Sequence, residues 1–230
     1  MMGTEQIGFS LLVLAIVALI VWGMVKRGKK DKVLKNHLAR LGFVPCDEEA
    51  EALAEKVTLL ENNSEYAYSI RKPMKVSVGD THVYFYTKDR RRSGDLDVSE
   101  EFFLTLKRKK SLPFQIYLKP SSVKEGMATD LLRSVTTKGW DSQSDDLEKV
   151  QLPLGLRYGN ILGLMGPRDC TVHGIFDSAA LSLLVHGADN DVFTIHCREN
   201  LCSIGTPLAG HKGNYEKIWS FIQRLIQQGL

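Results

Sequence analysis

The sequence lacks the features that would identify an activity directly. Only four cysteines occur in 230 residues, which is too few for the disulfide framework of a small secreted protein. No stretch carries a catalytic or nucleotide-binding signature, and no fixed-period repeat is present. The run Gly205–Gly213 lacks the Gly-Lys-hydroxyl order of a phosphate loop. We therefore expect reduced thiols, no cofactor and no activity that a motif alone could name.

The chain has little excess charge outside one short strip. Its formal net charge is +3. Residues 26–35 carry six positive charges and one negative, and Glu5 adds one negative, so residues 36–230 carry a net charge of −1. A nearly neutral domain argues against nucleic acid as a partner, because nucleic acid requires a basic face. The local runs Lys88–Arg92 and Lys107–Lys110 are interpreted as solvated strand ends and loops, with contact to a lipid surface or an acidic partner as the alternative.

One long apolar run is present, from Ile7 to Val25, and it contains no charged residue. About 19 residues at ~1.5 Å each approach the ~30 Å hydrocarbon core of a bilayer, so the run predicts a transmembrane anchor. A cleaved signal peptide fits less well because no basic residue precedes the run and no small-x-small cleavage site follows it. A core helix would carry a polar stripe, whereas this run has only Ser10. The main predicted anchor residues are Ile7, Leu11, Leu14, Ile16, Leu19 and Trp22.

Basic residues follow the apolar run and none precedes it. Because Lys and Arg beside a span are retained in the cytoplasm, we expect the N-terminus outside and the C-terminal domain in the cytoplasm. The same side chains could hold anionic lipid headgroups at about 1 kcal/mol each. The residues concerned are Lys26, Arg27, Lys29, Lys30, Lys32 and Lys35.

The rest of the chain predicts an α+β domain of antiparallel sheet with packed helices. Residues 7–25 form the anchor and residues 26–61 a basic juxtamembrane and helical connector. Residues 62–139 form a first α+β half and residues 146–230 a second, joined by the polar stretch that begins at Trp140. The two halves could equally form one domain. Helices are expected over residues 32–41, 47–61, 123–136, 177–186 and at the C-terminus.

A β-hairpin with Gly79-Asp80 as its turn is the clearest local prediction. Pairing Val78 with Thr81 makes one face apolar and places His82, Tyr84 and Tyr86 on the other. These three side chains are either covered by a helix or offered to a partner. Covering is favoured, because antiparallel sheets in mixed folds commonly carry helices on one face.

Further strands are expected over residues 102–106 and 114–118, with a charged mobile loop, Asp89–Asp97, before them. The C-terminal helix carries Trp219 on an apolar stripe. That stripe either seals the core of the domain or docks into a groove of another protein.

Cysteine and histidine side chains in the second half include the ligand types that zinc prefers: Cys170, His173, Cys197 and Cys202. A turn at Glu199-Asn200 places Cys197 opposite Cys202 on an apolar face, which favours inert packing of two thiols over a metal site. Cys170 and His173 are also the one local pair that could serve a nucleophilic enzyme.

The function expected from these features is that of an adaptor or assembly module. An anchor, a nearly neutral domain and no catalytic signature are typical of a protein that positions protein partners at the inner face of a membrane. The alternatives are a membrane-tethered enzyme or regulator that uses the Cys170/His173 region, and a small structural zinc domain.

Overall fold

The computed structural model describes residues 31–108, 110–118, 144–151, 161–187, 193–205 and 215–228. The predicted anchor over residues 7–25, the basic residues up to Lys30 and the predicted helix over residues 123–136 lie outside the described residues. Among the helices that the structure does describe, none combines the length and the apolar character that crossing a bilayer requires.

The chain divides into two compact units after Val44. In the first unit, residues 31–40 are helical and form α1. Gly42 follows with φ of 92°, a left-handed conformation that glycine adopts without a steric cost. The helix therefore ends where the sequence predicts.

The second unit is α+β, with a large antiparallel sheet and a few helices, as predicted. The helices are α2 (Ala50–Glu61), preceded by a 3₁₀ turn (Asp47–Glu49), α3 (Val172–Ile175), α4 (Ser178–Gly187) and α5 (Tyr215–Gln228). The strands are β1 (Val44–Pro45, at the unit boundary), β2 (Ala67–Val78), β3 (Thr81–Arg92), β4 (Asp95–Thr105), β5 (Phe114–Leu118), β6 (Glu148–Lys149), β7 (Ile161–Gly166), β8 (Phe193–Arg198) and β9 (Leu201–Gly205).

From β2 onward the strand order is β2-β3-β4-β9-β8-β5-β7-β6. Every pairing is antiparallel. Strand β5, from the first predicted half, lies between β8 and β7 from the second. The sheet thus draws strands from both halves of the sequence.

The first hairpin has the predicted register. Val78 pairs with Thr81 and Met74 with Phe85, and Gly79 in the turn has φ of 57°. Because this conformation is unfavourable for other residues, the glycine selects the turn.

The prediction of a mobile loop over Asp89–Asp97 is wrong. Strands β3 and β4 continue through it to a two-residue turn at Ser93 and Gly94, with Arg92 paired to Asp95. Lys88 and Asp89 are buried, so the Lys88–Arg92 run is not wholly solvated. Charge and strand structure coexist here because the charged side chains find partners on neighbouring strands, as Asp89 does with Arg71 at 2.5 Å.

One face of the sheet, here called the apolar face, is lined by aliphatic and aromatic side chains. A single row across it joins Phe85, Phe102, Ile204, Ile195, Ile116 and Leu164. Helix α5 packs against this face, where the ring of Tyr215 lies 5.6 Å from that of Phe85. The C-terminal helix therefore seals the core.

The opposite face, here called the polar face, carries the row Tyr84, Phe103, Ser203, His196, Gln115 and Met165. Helix α2 covers the β2–β4 part of it with Leu53, Val57 and Leu60, each at most 1% exposed, as predicted. The helix ends at Asn62, which has left-handed φ and ψ of 46° and 49°. This end brings Glu61 over the middle of the polar face.

Candidate functional site

Four ionisable residues meet on the polar face, and we call them the charge cluster: Glu61, Lys88, Glu101 and His196. They come from α2, β3, β4 and β8. All four are buried, with relative exposures between 3% and 7%. Charged side chains are rarely buried unless they are paired, so this arrangement separates the cluster from an ordinary sheet surface.

Lys88 lies at the centre of the charge cluster. Its Nζ is 2.5 Å from Glu61 Oε1 and 2.7 Å from Glu101 Oε1. Ser99 Oγ also donates to Glu101 Oε1, at 2.8 Å. On the far side, Glu61 Oε2 lies 3.6 Å from His196 Nδ1. The order along the cluster is therefore histidine, carboxylate, ammonium, carboxylate.

Burial and pairing act in opposite directions on the charged groups. Burial favours a neutral Glu61, but the Lys88 ammonium and His196 outweigh it and hold the pKa of Glu61 below its usual range. Burial likewise favours a neutral Lys88, yet Glu101 and Glu61 hold its pKa above the usual value. Burial and the nearby Glu101 raise the pKa of the Tyr86 phenol. At neutral pH Glu61 is therefore a carboxylate and Lys88 an ammonium.

A cavity of about 210 Å³ opens beside the charge cluster. All four cluster residues line it, together with side chains from β3, β4, β5, β8 and β9. At Gly205 a Cβ atom would lie 3.1 Å from Glu101 Cγ and 3.3 Å from Thr194 Oγ1. The absence of a Cβ at Gly205 thus lets Glu101 and Thr194 pack closely over β9.

Three polar atoms of cavity-lining residues in the charge cluster are buried and make no hydrogen bond of normal geometry within the described residues. They are Glu101 Oε2 and both ring nitrogens of His196. A buried polar atom without a partner costs about 1–3 kcal/mol. These atoms are therefore candidates for hydrogen bonds to a ligand bound in the cavity.

The cavity adjoins an exposed structure, the end of the β3–β4 hairpin, residues 89–98, which we call the ribbon end. Arg90 and Asp97 pair at 3.1 Å and line the cavity. They also line a second cavity of about 270 Å³ at the ribbon end. The guanidinium carbons of Arg90 and Arg92 lie 4.6 and 5.5 Å from the centre of the Tyr66 ring. One side of the ribbon end is therefore a stack of two arginines on a tyrosine.

The other side of the ribbon end exposes two apolar side chains. Leu96 is 56% exposed and Val98 is 42% exposed. Their partners in β3 are Arg91 and Asp89, which places both on the side away from Tyr66.

The structure separates the residues predicted as a partner surface. Tyr84 and Tyr86 are 7% and 0% exposed and pack with the α2 cluster, so the covered alternative is the observed one. Tyr84 donates a hydrogen bond to Glu49 Oε2 at 2.7 Å. His82 contacts Ser77 at the edge of the hairpin. Trp219 is 7% exposed in α5 and belongs to the core side of that helix.

The predicted Cys197–Cys202 pairing is confirmed. These residues are partners across the β8–β9 hairpin and both are fully buried. Burial and the neighbouring thiol raise the pKa of Cys202, which keeps the thiol protonated.

Cys170 and His173 lie apart from that pair, at the start of α3. Burial raises the pKa of the half-buried Cys170, which is opposite to what a nucleophilic thiol needs. The backbone carbonyl of His173 accepts a hydrogen bond from Lys110. In the described parts of the chain, no three His, Cys, Asp or Glu side chains are grouped to hold a metal ion.

Of the six basic residues predicted to contact lipid, Lys32 and Lys35 are described, and both are exposed on α1. Lys26, Arg27, Lys29 and Lys30 lie outside the described residues, as do the anchor positions from Ile7 to Trp22.

Sequence reasoning missed the charge cluster. Its members are separated by up to 135 positions, and none stands in a motif. One available signal was the alternation of β3, because continuing the Tyr84, Tyr86 period by two residues places Lys88 on the same face.

Comparison with models of known protein families and with curated protein sequences finds no match. Among solved structures, the chain is similar to the crystal structure of the mycobacterial trehalose monomycolate transport factor A, TtfA. The TM-score is 0.35 and the identity 11%, over 68% of this chain and 70% of that chain. A similarity of this extent identifies neither a family nor a function.

Proposed function

We propose that this chain is a membrane-anchored adaptor that holds a partner protein at the cytoplasmic face of a membrane. The observation that carries the proposal is the ribbon end, which presents stacked arginine and tyrosine side chains on one side and exposed Leu96 and Val98 on the other. Tyrosine and arginine are enriched among the residues that dominate protein interfaces.

The anchor and the basic strip supply the location in this proposal. Residues 7–25 span the bilayer with the N-terminus outside, and the basic residues from Lys26 to Lys35 lie near anionic headgroups on the inner side. Protease treatment of intact cells and of inverted vesicles tests this orientation. Digestion of the domain in intact cells would contradict it.

Site-specific photocrosslinking tests partner binding. A photoreactive residue at position 96 of the full chain should give a discrete protein adduct in cells, and the Tyr66→Ala background should weaken that adduct at least tenfold because the arginines lose their stacking surface. Position 59 is the matched control, since Leu59 is 65% exposed on α2. Equal adducts at positions 59 and 96, or none at 96, would contradict an interface at the ribbon end.

A further inference from the structure

We infer that the cavity beside the charge cluster binds a primary ammonium group. The residues that would hold it are Glu101 and His196, with the hydroxyls of Ser203 and Thr194 lining the same cavity. This inference concerns the polar face and does not depend on partner binding at the ribbon end.

The first argument is charge. Counted as formal charges with histidine neutral, Glu61 and Glu101 contribute −2 and Lys88 contributes +1, so the charge cluster carries a formal charge of −1. Arg90 and Asp97 add no net charge, since they pair with each other. A buried excess charge is costly until a counter-charge arrives, so the cavity favours a monovalent cation and disfavours an anion.

The second argument is the set of acceptors. Glu101 Oε2 is buried near Tyr86, its partner across β3 and β4, and makes no hydrogen bond of normal geometry within the described residues. Its Oε1 is taken by Lys88 and Ser99. His196 is 3% exposed. Its Nδ1 lies 3.6 Å from Glu61 Oε2, and its Nε2 has no hydrogen bond within the described residues. A neutral imidazole supplies one acceptor and an ammonium supplies three donors. A carboxylate oxygen, an imidazole nitrogen and a hydroxyl together satisfy those donors.

The third argument is space. About 210 Å³ greatly exceeds the ~15 Å³ that one water molecule requires. Gly205 lines the cavity without a side chain, and a Cβ there would crowd Glu101 and Thr194. A linear alkylammonium therefore has room for its head and its first methylene groups.

The acceptor atoms available in the cavity favour an ammonium group over a metal ion. Within the described residues no three His, Cys, Asp or Glu side chains converge as metal ligands. One oxygen of each carboxylate is already engaged by Lys88. The remaining acceptors suit the longer contacts of a hydrogen-bonded cation.

Titration calorimetry on the full chain in detergent micelles, with n-butylammonium chloride as the probe, tests the inference. n-Butanol and sodium butyrate serve as neutral and anionic probes of the same length. Glu101→Gln removes one negative charge while Glu61 still pairs with Lys88, and it should weaken butylammonium binding by about tenfold or more. Glu100→Gln is the matched control, because Glu100 is the neighbouring residue on the opposite face and contacts Tyr215.

The expected result is saturable butylammonium binding to the wild-type chain and to Glu100→Gln, with at least tenfold weaker binding of n-butanol and butyrate. If Glu101→Gln does not fold, Gly205→Ala replaces it, since the added methyl group would displace Glu101 and Thr194 without changing any charge. Unchanged butylammonium affinity in the folded variant, equal affinity for n-butanol, or no saturable heat with the wild type would overturn the inference.

The ammonium group could belong to a free amine or to a lysine side chain of a partner. A peptide with one lysine, compared with the same peptide acetylated on that lysine, distinguishes the two sources. Tenfold tighter binding of the unmodified peptide than of butylammonium supports a lysine side chain, and tighter binding of butylammonium supports a free amine.

Discussion

At the scale of single residues, the polar face depends on Lys88. Its ammonium lies between two carboxylates that are themselves buried, so each carboxylate is compensated by the same charge. Replacing a whole buried ion cluster by apolar residues can be neutral, but removing one partner leaves an uncompensated charge. Lys88 is therefore the residue whose loss the fold tolerates least in this cluster.

Substituting Lys88→Met should lower the free energy of unfolding by about 3–5 kcal/mol at pH 7, because two buried carboxylates lose their counter-charge. Urea denaturation followed by tryptophan fluorescence measures the change. Lys56→Met is the control, since Lys56 is exposed on α2, and it should change the value by less than about 0.5 kcal/mol. Equal effects of the two substitutions would show that Lys88 contributes no more to the free energy of unfolding than an exposed lysine does.

Glu61 should make stability depend on pH in the acid range. Its pKa is held below the usual range in the folded protein, so its contribution is present above the unfolded-state pKa of ~4.3 and is lost as the pH falls below that value. As the pH is lowered from 6 to 3, the unfolding free energy of the wild type should therefore fall relative to that of Glu61→Gln. A difference that stays constant over this range would contradict the assignment.

At the scale of elements, the sequence predicts those structural features that are determined by residues close together in the chain. The turn at Gly79, the register of the first hairpin, the buried stripe of α2 and the Cys197–Cys202 pairing all follow from period and turn chemistry. Such features need only a few consecutive residues, which is why the sequence alone identifies them.

Features that depend on residues from distant elements were not predictable. The run Lys88–Arg92 has the composition of a solvated loop. Strand β3 nevertheless continues through it, because Tyr66, Arg71 and the carboxylates of other elements pair with its charged side chains. The position of Glu61 over His196 follows from the packing of α2 on β3, β4 and β8, which no local pattern specifies.

Helix α5 yields a direct test of core packing. Leu225 is fully buried, so Leu225→Ala should lower the free energy of unfolding by about 2–5 kcal/mol through lost burial and the cavity left behind. Gln227→Ala, on the exposed side of the same helix, should have little effect. Chemical denaturation of both variants gives the comparison, and a neutral Leu225→Ala would favour the docking role for this helix instead.

At the scale of the whole molecule, the sheet joins the two halves of the sequence. Both partners of β5 come from the second half, and β9 pairs with the outer edge of β4. Among the described strands, β4 and β5 of the first half therefore need strands of the second half to complete their backbone hydrogen bonds.

Dividing the chain should therefore abolish folding. Fragments 45–118 and 144–230, expressed separately, should each lack the dispersed amide resonances of a folded domain, whereas residues 45–230 should unfold in one cooperative transition. Nuclear magnetic resonance spectra of both fragments and a calorimetric scan of the intact segment make this comparison. A well-dispersed spectrum from fragment 45–118 would support two separate halves.

The pairing of β4 with β9 also constrains the order of events during synthesis. Translation at ~5–20 residues per second takes about 5–20 s to cover the roughly 100 residues between Thr105 and Leu201. Throughout that interval β4 can pair with β3, but its other edge, with Phe102, Phe103 and Leu104, has no native partner to join. An open strand edge is a template for association with other chains, so we expect the nascent chain to be most prone to association before β9 is available to pair with β4.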